Sequence, residues 1–171
     1  DIRYQYGYVD EDDVPELFLG TGREQEAGVF VYTAAKTADT YEIRKVGEFS
    51  QYGILYYIPH ENVMISHCGD AGIYYVVYHS IRQGRSSLDR ILKQAPGEED
   101  TVYYCGITWD EDFLGDAEAF RGDPKLSGLR EDEMRETESE EFFRLQSVYE
   151  NGHGRQLCAY ADMIPLKAGT Q

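Results

Sequence analysis

Between residue 2 and about residue 109, apolar and aromatic residues fall in short runs divided by turn-forming stretches. They lack the 3.6-residue period of a surface helix and show either alternation or unbroken blocks, the mark of strands. The pattern predicts strands over Ile2–Val9, Glu16–Leu19, Gly28–Thr33, Tyr41–Phe49, Gly53–Ile58, Val63–His67, Gly72–Ile81, Ser87–Lys93 and Thr101–Thr108. In "YEIRKVGEF" (41–49) the alternation is imperfect, with Ile43, Val46 and Phe49 expected inward and Glu42, Arg44 and Lys45 outward. "GIYYVVYHSI" (72–81) is nearly continuous and rich in β-branched and aromatic residues, as a central strand would be. The linkers "KTADT", "RQGR" and "PGEED" have the length and chemistry of hairpin turns, which makes the strands an antiparallel meander.

A weak internal echo accompanies the pattern. "AGVFVY" (27–32) returns as "AGIYYV" (71–76) and "YG" (6–7) returns at 52–53, offsets of 44 and 46 residues. That spacing suits a four-stranded sheet used twice, with blade-like connectivity. Past Trp109 the character changes. Residues 110–141 hold thirteen acidic residues against four basic ones, a run expected as a solvated loop. Thr137 and Glu140 then have capping-box spacing, and Phe142, Leu145 and Tyr149 share a helical stripe, so a helix is expected over 137–150. "RQLCAYADMIPL" (155–166) reads as a last strand or a short helix, with strand favoured. The expected fold is a single mainly β domain over 1–171: antiparallel meanders in two packed or propeller-like sheets, with one covering helix near 137–150 and an acidic loop and helix segment at about 110–150. An α+β arrangement is the alternative.

Composition narrows the partners. The formal charge is −16, from 16 basic and 32 acidic side chains, and a field of that sign repels phosphate backbones and anionic membrane surfaces. Nucleic acid is therefore not expected as a partner. No stretch approaches ~20 consecutive apolar residues, so no transmembrane segment is expected in the visible chain. The chain opens at Asp1, and any export signal is expected upstream. Fifteen tyrosines against seven phenylalanines suit sheet surfaces with one wet side, because tyrosine buries its ring and keeps its hydroxyl solvated. Cys68, Cys105 and Cys158 show no metal-binding or redox spacing and read as structural thiols.

The densest chemistry lies in "YGYVDEDDVPELFLG" (6–20). Calcium loops of the D-x-D-x-D-G-x-x-E kind turn alternate oxygens to one centre, and a later carboxylate closes the shell. On that scheme Asp10 and Asp12 take the second and third ligand places, Val14 offers its carbonyl and Glu16 closes the shell. Tyr8 stands in the first ligand place and Asp13 in the glycine place, which weakens the site. The competing reading is an acidic turn in which Pro15 sets the bend and Glu16 pairs with a nearby Arg or Lys. The segment resembles the Tyr-x-x-x-Asp-x-Asp-Asp-x-Pro-Glu-Leu stretch that opens many uncharacterised secreted or lipid-anchored proteins of anaerobic Gram-positive bacteria. The match covers about fifteen residues well and "CGDAGIYYVVY" (68–78) more loosely. The resemblance implies export, surface display and bound calcium, and it implies no enzymatic activity.

Other motifs carry less. "GTGREQEAG" (20–28) fits no phosphate loop, and "RGD" (121–123) is a tripeptide that recurs by chance. His67, Cys68, Cys105, His153 and Cys158 match no zinc spacing. The sequence thus leads to an exported cell-surface or extracellular binding module for a protein or carbohydrate ligand, with no cofactor beyond weak Ca²⁺ and no catalytic residues. A carboxylate-dependent hydrolase acting on a sugar or peptide is the alternative, although nothing singles out a pair among 32 acids.

Overall fold

In this computed structural model residues 2–22, 28–38, 40–50, 53–70, 72–106, 134–150 and 154–167 are described. Strands β1 (Arg3–Gly7), β2 (Glu16–Gly20), β3 (Val29–Lys36) and β4 (Tyr41–Phe49) form one up-and-down meander. Strands β5 (Gly53–Ile58), β6 (Val63–Asp70), β7 (Ile73–Arg82) and β8 (Arg85–Pro96) form a second, which β9 (Thr101–Gly106) and β10 (Met134–Thr137) extend. Near the end of the chain β11 (Gln156–Leu157) pairs with β5, and β12 (Ile164–Pro165) pairs with β1. The result is a five-stranded sheet in the order β12-β1-β2-β3-β4 and a seven-stranded sheet in the order β10-β9-β8-β7-β6-β5-β11. The helix among the described residues is α1 (Ser139–Glu150). This is the mainly β architecture of two antiparallel sheets that the sequence predicts, and neither sheet closes into a barrel.

The unbroken apolar run of β7 puts it fourth of the seven strands, where both of its faces are covered. The internal echo has a structural counterpart in β3 and β7, each the third strand of its meander. The "YG" pairs have none, since Gly7 ends β1 whereas Gly53 begins β5. The "RQGR" hairpin turns through Gln83 and Gly84, both left-handed at φ 54° and 75°, a backbone that twists with its flanking strands.

The sheets share one core. Phe18, Val31, Val46 and Phe49 of the smaller sheet pack against Leu55, Tyr57, Met64 and Ile81 of the larger. Phe18 stacks on Tyr57 with ring centres 5.2 Å apart. Gly7 lies beneath them, and a Cβ there would stand 2.5 Å from the Tyr57 ring, so the close approach depends on glycine. On the far side of the larger sheet, α1 seats Phe142 and Leu145 on Ile65, Val76, Tyr78 and Leu92. Each such side chain contributes on the order of 1.5–3 kcal/mol by leaving water.

Three expectations need correction. Ile43 faces solvent, 74% exposed, while Val46 and Phe49 are buried. A bulge sets this phase: Val31 pairs with Gly47 and Tyr32 with Lys45, leaving Val46 as the extra residue. Thr137 does not cap the helix. It pairs with Tyr103 in the β9–β10 ladder, and the first helical turn closes from Phe142 N–H to the Glu138 carbonyl at 3.0 Å. Residues 155–166 are neither one strand nor a helix. Their two short strands join different sheets, and Cys158 and Met163 between them insert into the shared core. Residues 110–133 of the acidic run, the "RGD" tripeptide and His153 lie outside the described residues, while its last part, expected as a solvated loop, forms β10 and the first turn of α1.

Candidate functional site

The β1–β2 connection carries the acidic stretch, and its backbone is tied to the other sheet. The Tyr8 carbonyl accepts from His60 N–H at 3.0 Å and the Val9 carbonyl from Asn62 N–H at 2.7 Å. The Tyr8 ring, in the first ligand place of the calcium-loop scheme, stacks on His60 at 5.2 Å. Asn62 extends the tie: its amide donates to the Ile81 carbonyl at 3.0 Å and accepts from Ile81 N–H at 2.7 Å.

Within the loop the carboxylates bond to the backbone. Asp10 Oδ1 accepts from Asp12 N–H at 3.1 Å, and Asp12 Oδ1 accepts from Val14 N–H at 2.7 Å, two successive Asx-type turns. Glu16 sits differently. It opens β2 at an inward position and is 0% exposed, with Oε2 accepting from Val9 N–H at 2.8 Å and Oε1 from the Thr33 hydroxyl at 3.0 Å. Its partners are thus a backbone amide and a hydroxyl, where the acidic-turn reading expected an Arg or Lys. Burial raises the Glu16 carboxyl above the usual range, and the Asp10 charge adds to the shift. Burial likewise raises Asp10, with Asp12 and Glu11 contributing. Asp10 and Asp12 therefore stand in the turn, while the expected closing ligand Glu16 points into the core. Among the described residues no three His, Cys, Asp or Glu side chains are grouped to hold a metal ion.

A second feature was not legible from motifs. In the five-stranded sheet Phe18, Val31 and Thr33 face the core, and Leu17, Leu19, Phe30 and Tyr32 face away. Cross-strand register aligns two rows on that outer face, Ile164–Tyr4–Leu19–Phe30–Glu48 and Tyr6–Leu17–Tyr32–Lys45. Tyr4 and Tyr6 meet edge to face at 5.7 Å, and Lys45 Nζ lies 4.7 Å from the centre of the Phe30 ring. Tyr6 is 60% and Ile164 55% exposed. A sheet packed on one side normally turns polar residues outward, yet of these nine positions only two are charged. Among the described elements none is layered over this face, whereas α1 covers the outer side of the larger sheet. The signal was present in "ELFLG" and "VFVY", which are apolar at both parities.

A polar network anchors the end of α1. The Tyr78 hydroxyl donates to Glu150 at 2.6 Å, Arg155 donates to Glu150 at 2.7 Å, and the Arg155 guanidinium lies 5.0 Å from the centre of the Tyr56 ring. These contacts offset the unfavourable placing of an acid in the last helical turn. Beside them His67 Nδ1 bonds to the Tyr74 hydroxyl, and the His67 imidazole is held below its usual range by burial. His67 and its neighbour Cys68 lie on opposite faces of β6, with Cys68 in a separate cluster, so the two do not share a site. None of the three cysteines forms a disulfide. Compared with known proteins, the chain matches no family model, no curated protein and no solved structure.

Proposed function

We propose that this protein is an exported, cell-surface or extracellular binding module that engages its ligand through the outer face of the five-stranded sheet and carries out no catalysis. The observation that carries this reading is the pair of apolar and aromatic rows on a face with no described layer over it, with Tyr6 and Ile164 exposed and Tyr4, Leu17, Leu19, Phe30 and Tyr32 half-buried between them, since contiguous solvent-facing apolar surface marks interaction sites. Export rests on the resemblance of residues 6–20 to secreted and lipid-anchored proteins. The hydrolase alternative needs two carboxylates that reach a substrate. Glu16 does feel the charge of Asp10, but it is fully buried with both oxygens bonded to protein groups. The test is retention on immobilised polysaccharides and on extracellular proteins, comparing the parent with Tyr6→Ser/Tyr32→Ser. Retention of a ligand by the parent, at least about tenfold weaker in the variant, is expected. Release of reducing ends or peptides from any retained material would overturn the reading.

The calcium loop is a weaker companion proposal. Its donors are hard oxygens from Asp10, Asp12, the Val14 carbonyl and Glu16, which suit Ca²⁺ rather than zinc or copper. Recruiting Glu16 breaks its bonds to Val9 and Thr33, so affinity belongs in the weak range of about 10⁻⁴–10⁻³ M. At a Kd of about 1 mM, about 10 mM calcium adds about 1.4 kcal/mol of stability. A melting series in calcium against chelator should therefore show an upward shift in the parent that is absent in Asp12→Ala. Equal shifts in both proteins would remove the site.

A further inference from the structure

We propose that two copies of this chain associate edge to edge, pairing β4 antiparallel with the partner's β4 about Ile43. The contact uses a strand edge rather than the sheet face of the binding reading, and it stands independently of that reading. β4 ends the five-stranded sheet, and among the described residues its ladder is with β3 alone. Tyr41, Glu42, Ile43 and Lys45 are exposed, Ile43 at 74% and Tyr41 at 55%. An open isoleucine and tyrosine on the free edge of a sheet invite a further strand.

The hydrogen-bonding phase fixes which groups point outward. Thr37 N–H donates to the Thr40 carbonyl at 2.8 Å, which closes the β3–β4 hairpin with a bonded pair. Bonded and unbonded pairs alternate along an antiparallel ladder, so Glu42 bonds to Ala35 and Arg44 to Thr33. The N–H and C=O groups of Tyr41, Ile43 and Lys45 therefore face away from β3. The bulge at Val46 ends this regular stretch. A second β4 satisfies all three residues when Ile43 lies opposite the partner's Ile43. Tyr41 then bonds to the partner's Lys45, and Lys45 to the partner's Tyr41.

The side chains select the same register. Glu42 comes opposite the partner's Arg44 and Arg44 opposite the partner's Glu42, in the unbonded pairs where side chains approach most closely. Within one chain Arg44 Nη2 already donates to Glu42 Oε2 at 2.7 Å, so both charged heads are held at the edge. On the other face of the strand the two Ile43 side chains meet. Tyr41 flanks them beside the partner's Lys45, a pairing that suits a cation on a ring. Sliding the partner by one bonded pair in either direction sets Glu42 against Glu42 or Arg44 against Arg44, which is unfavourable. The edge thus complements itself in one register, as a two-fold interface requires. The contact is small and each chain carries −16, so the dimer fills only at high concentration and moderate salt.

Sedimentation velocity of the full chain, from about 5 to 500 µM in about 0.15 M salt, reads the association. The parent is expected to pass from monomer toward dimer across that range. Ile43→Pro removes an outward N–H and leaves the β3 ladder intact, and it is expected to weaken association at least about tenfold. Glu42→Arg and Arg44→Glu each set like charges opposite one another, so each variant alone is expected to stay monomeric. Mixed in equal amounts, the two are expected to form a heterodimer, because every opposed pair is then of unlike charge. The mixture decides the matter even where Ile43→Pro folds poorly. A parent that is monomeric at about 500 µM overturns the proposal. So does a dimer that survives Ile43→Pro and both charge variants, which would place the contact on another surface. A mixture that fails to associate while the parent dimerises overturns it as well. Ligand retention by the sheet face is read separately and is untouched by any of these outcomes.

Discussion

Glu16→Ala is expected to melt about 6–12 °C below the parent, and Glu16→Gln within about 3 °C of it. The glutamate closes two buried bonds, to Val9 N–H at 2.8 Å and to the Thr33 hydroxyl at 3.0 Å. Alanine leaves both donors without an acceptor and opens a hole, for a loss of about 3 kcal/mol. Glutamine keeps a carbonyl oxygen for Val9 and turns an amide N–H toward Thr33, whose hydroxyl accepts as readily as it donates. It also removes a charge that burial disfavours. Differential scanning calorimetry at neutral pH decides the matter. If both variants fall by the same large amount, the carboxylate charge matters more than the hydrogen bonds, and the role of an internal strut is wrong.

Acid is expected to weaken the fold through His79 well before the carboxylates of the surface are neutralised. His79 is 1% exposed, edge-on to Phe49 at 5.0 Å with Ser86 Oγ 3.4 Å from its Nδ1. Burial pushes its imidazole down to about 3 from an ordinary 6.5. The unfolded chain takes up this proton below pH 6.5, and the folded chain does not until about pH 3. Stability that depends on neutral His79 is therefore complete above pH 6.5 and declines toward pH 3, with a limiting slope of about 1.4 kcal/mol per pH unit. Glu16 and Asp89 act in the opposite sense. Burial raises both carboxyls, so the folded chain holds protons that the unfolded chain has released; their contribution is full below the ordinary carboxyl range and falls as pH rises through their folded values. Urea midpoints between pH 7 and pH 4 should thus show a shallower slope in His79→Gln and a steeper one in Glu16→Gln. An unchanged slope in His79→Gln would dismiss the imidazole as the source.

The strands were legible because turn chemistry and apolar runs are local signals. The ladder of β7, the left-handed turn at Gln83–Gly84 and the stripe Phe142–Leu145 each follow from residues within a few positions of one another. What stayed hidden depends on partners far along the chain. The exposure of Ile43 turns on a bulge against Val31, and the role of Thr137 on its pairing with Tyr103. The Glu16 carboxylate reads as a ligand in its own segment and becomes an internal acceptor only once Thr33 is brought beside it. The outer face of the smaller sheet was hidden for a different reason. Two-sided apolar strands such as β2 and β3 normally announce burial on both faces, and the sequence does not reveal that no described element is layered over one of them.

The placing of β11 and β12 has a consequence for how the chain is made. Each meander pairs neighbour with neighbour, so its hairpins can zip in the order in which a ribosome delivers them. The outer edges of β1 and β5, however, find their partners only when Ile164–Pro165 and Gln156–Leu157 arrive. For most of its synthesis the nascent chain therefore carries, besides the far edges of the two sheets, two strand edges that the finished fold pairs, those of β1 and β5, and such edges invite pairing with other chains. The closing segment docks on both sheets in one stretch, with Cys158 N–H bonding the Leu55 carbonyl at 2.9 Å and Leu166 N–H bonding the Ile2 carbonyl at 2.9 Å. A chain cut short before residue 156 has both four-stranded meanders but lacks the segments that pair with β1 and β5, and those two flanks lie open to its neighbours.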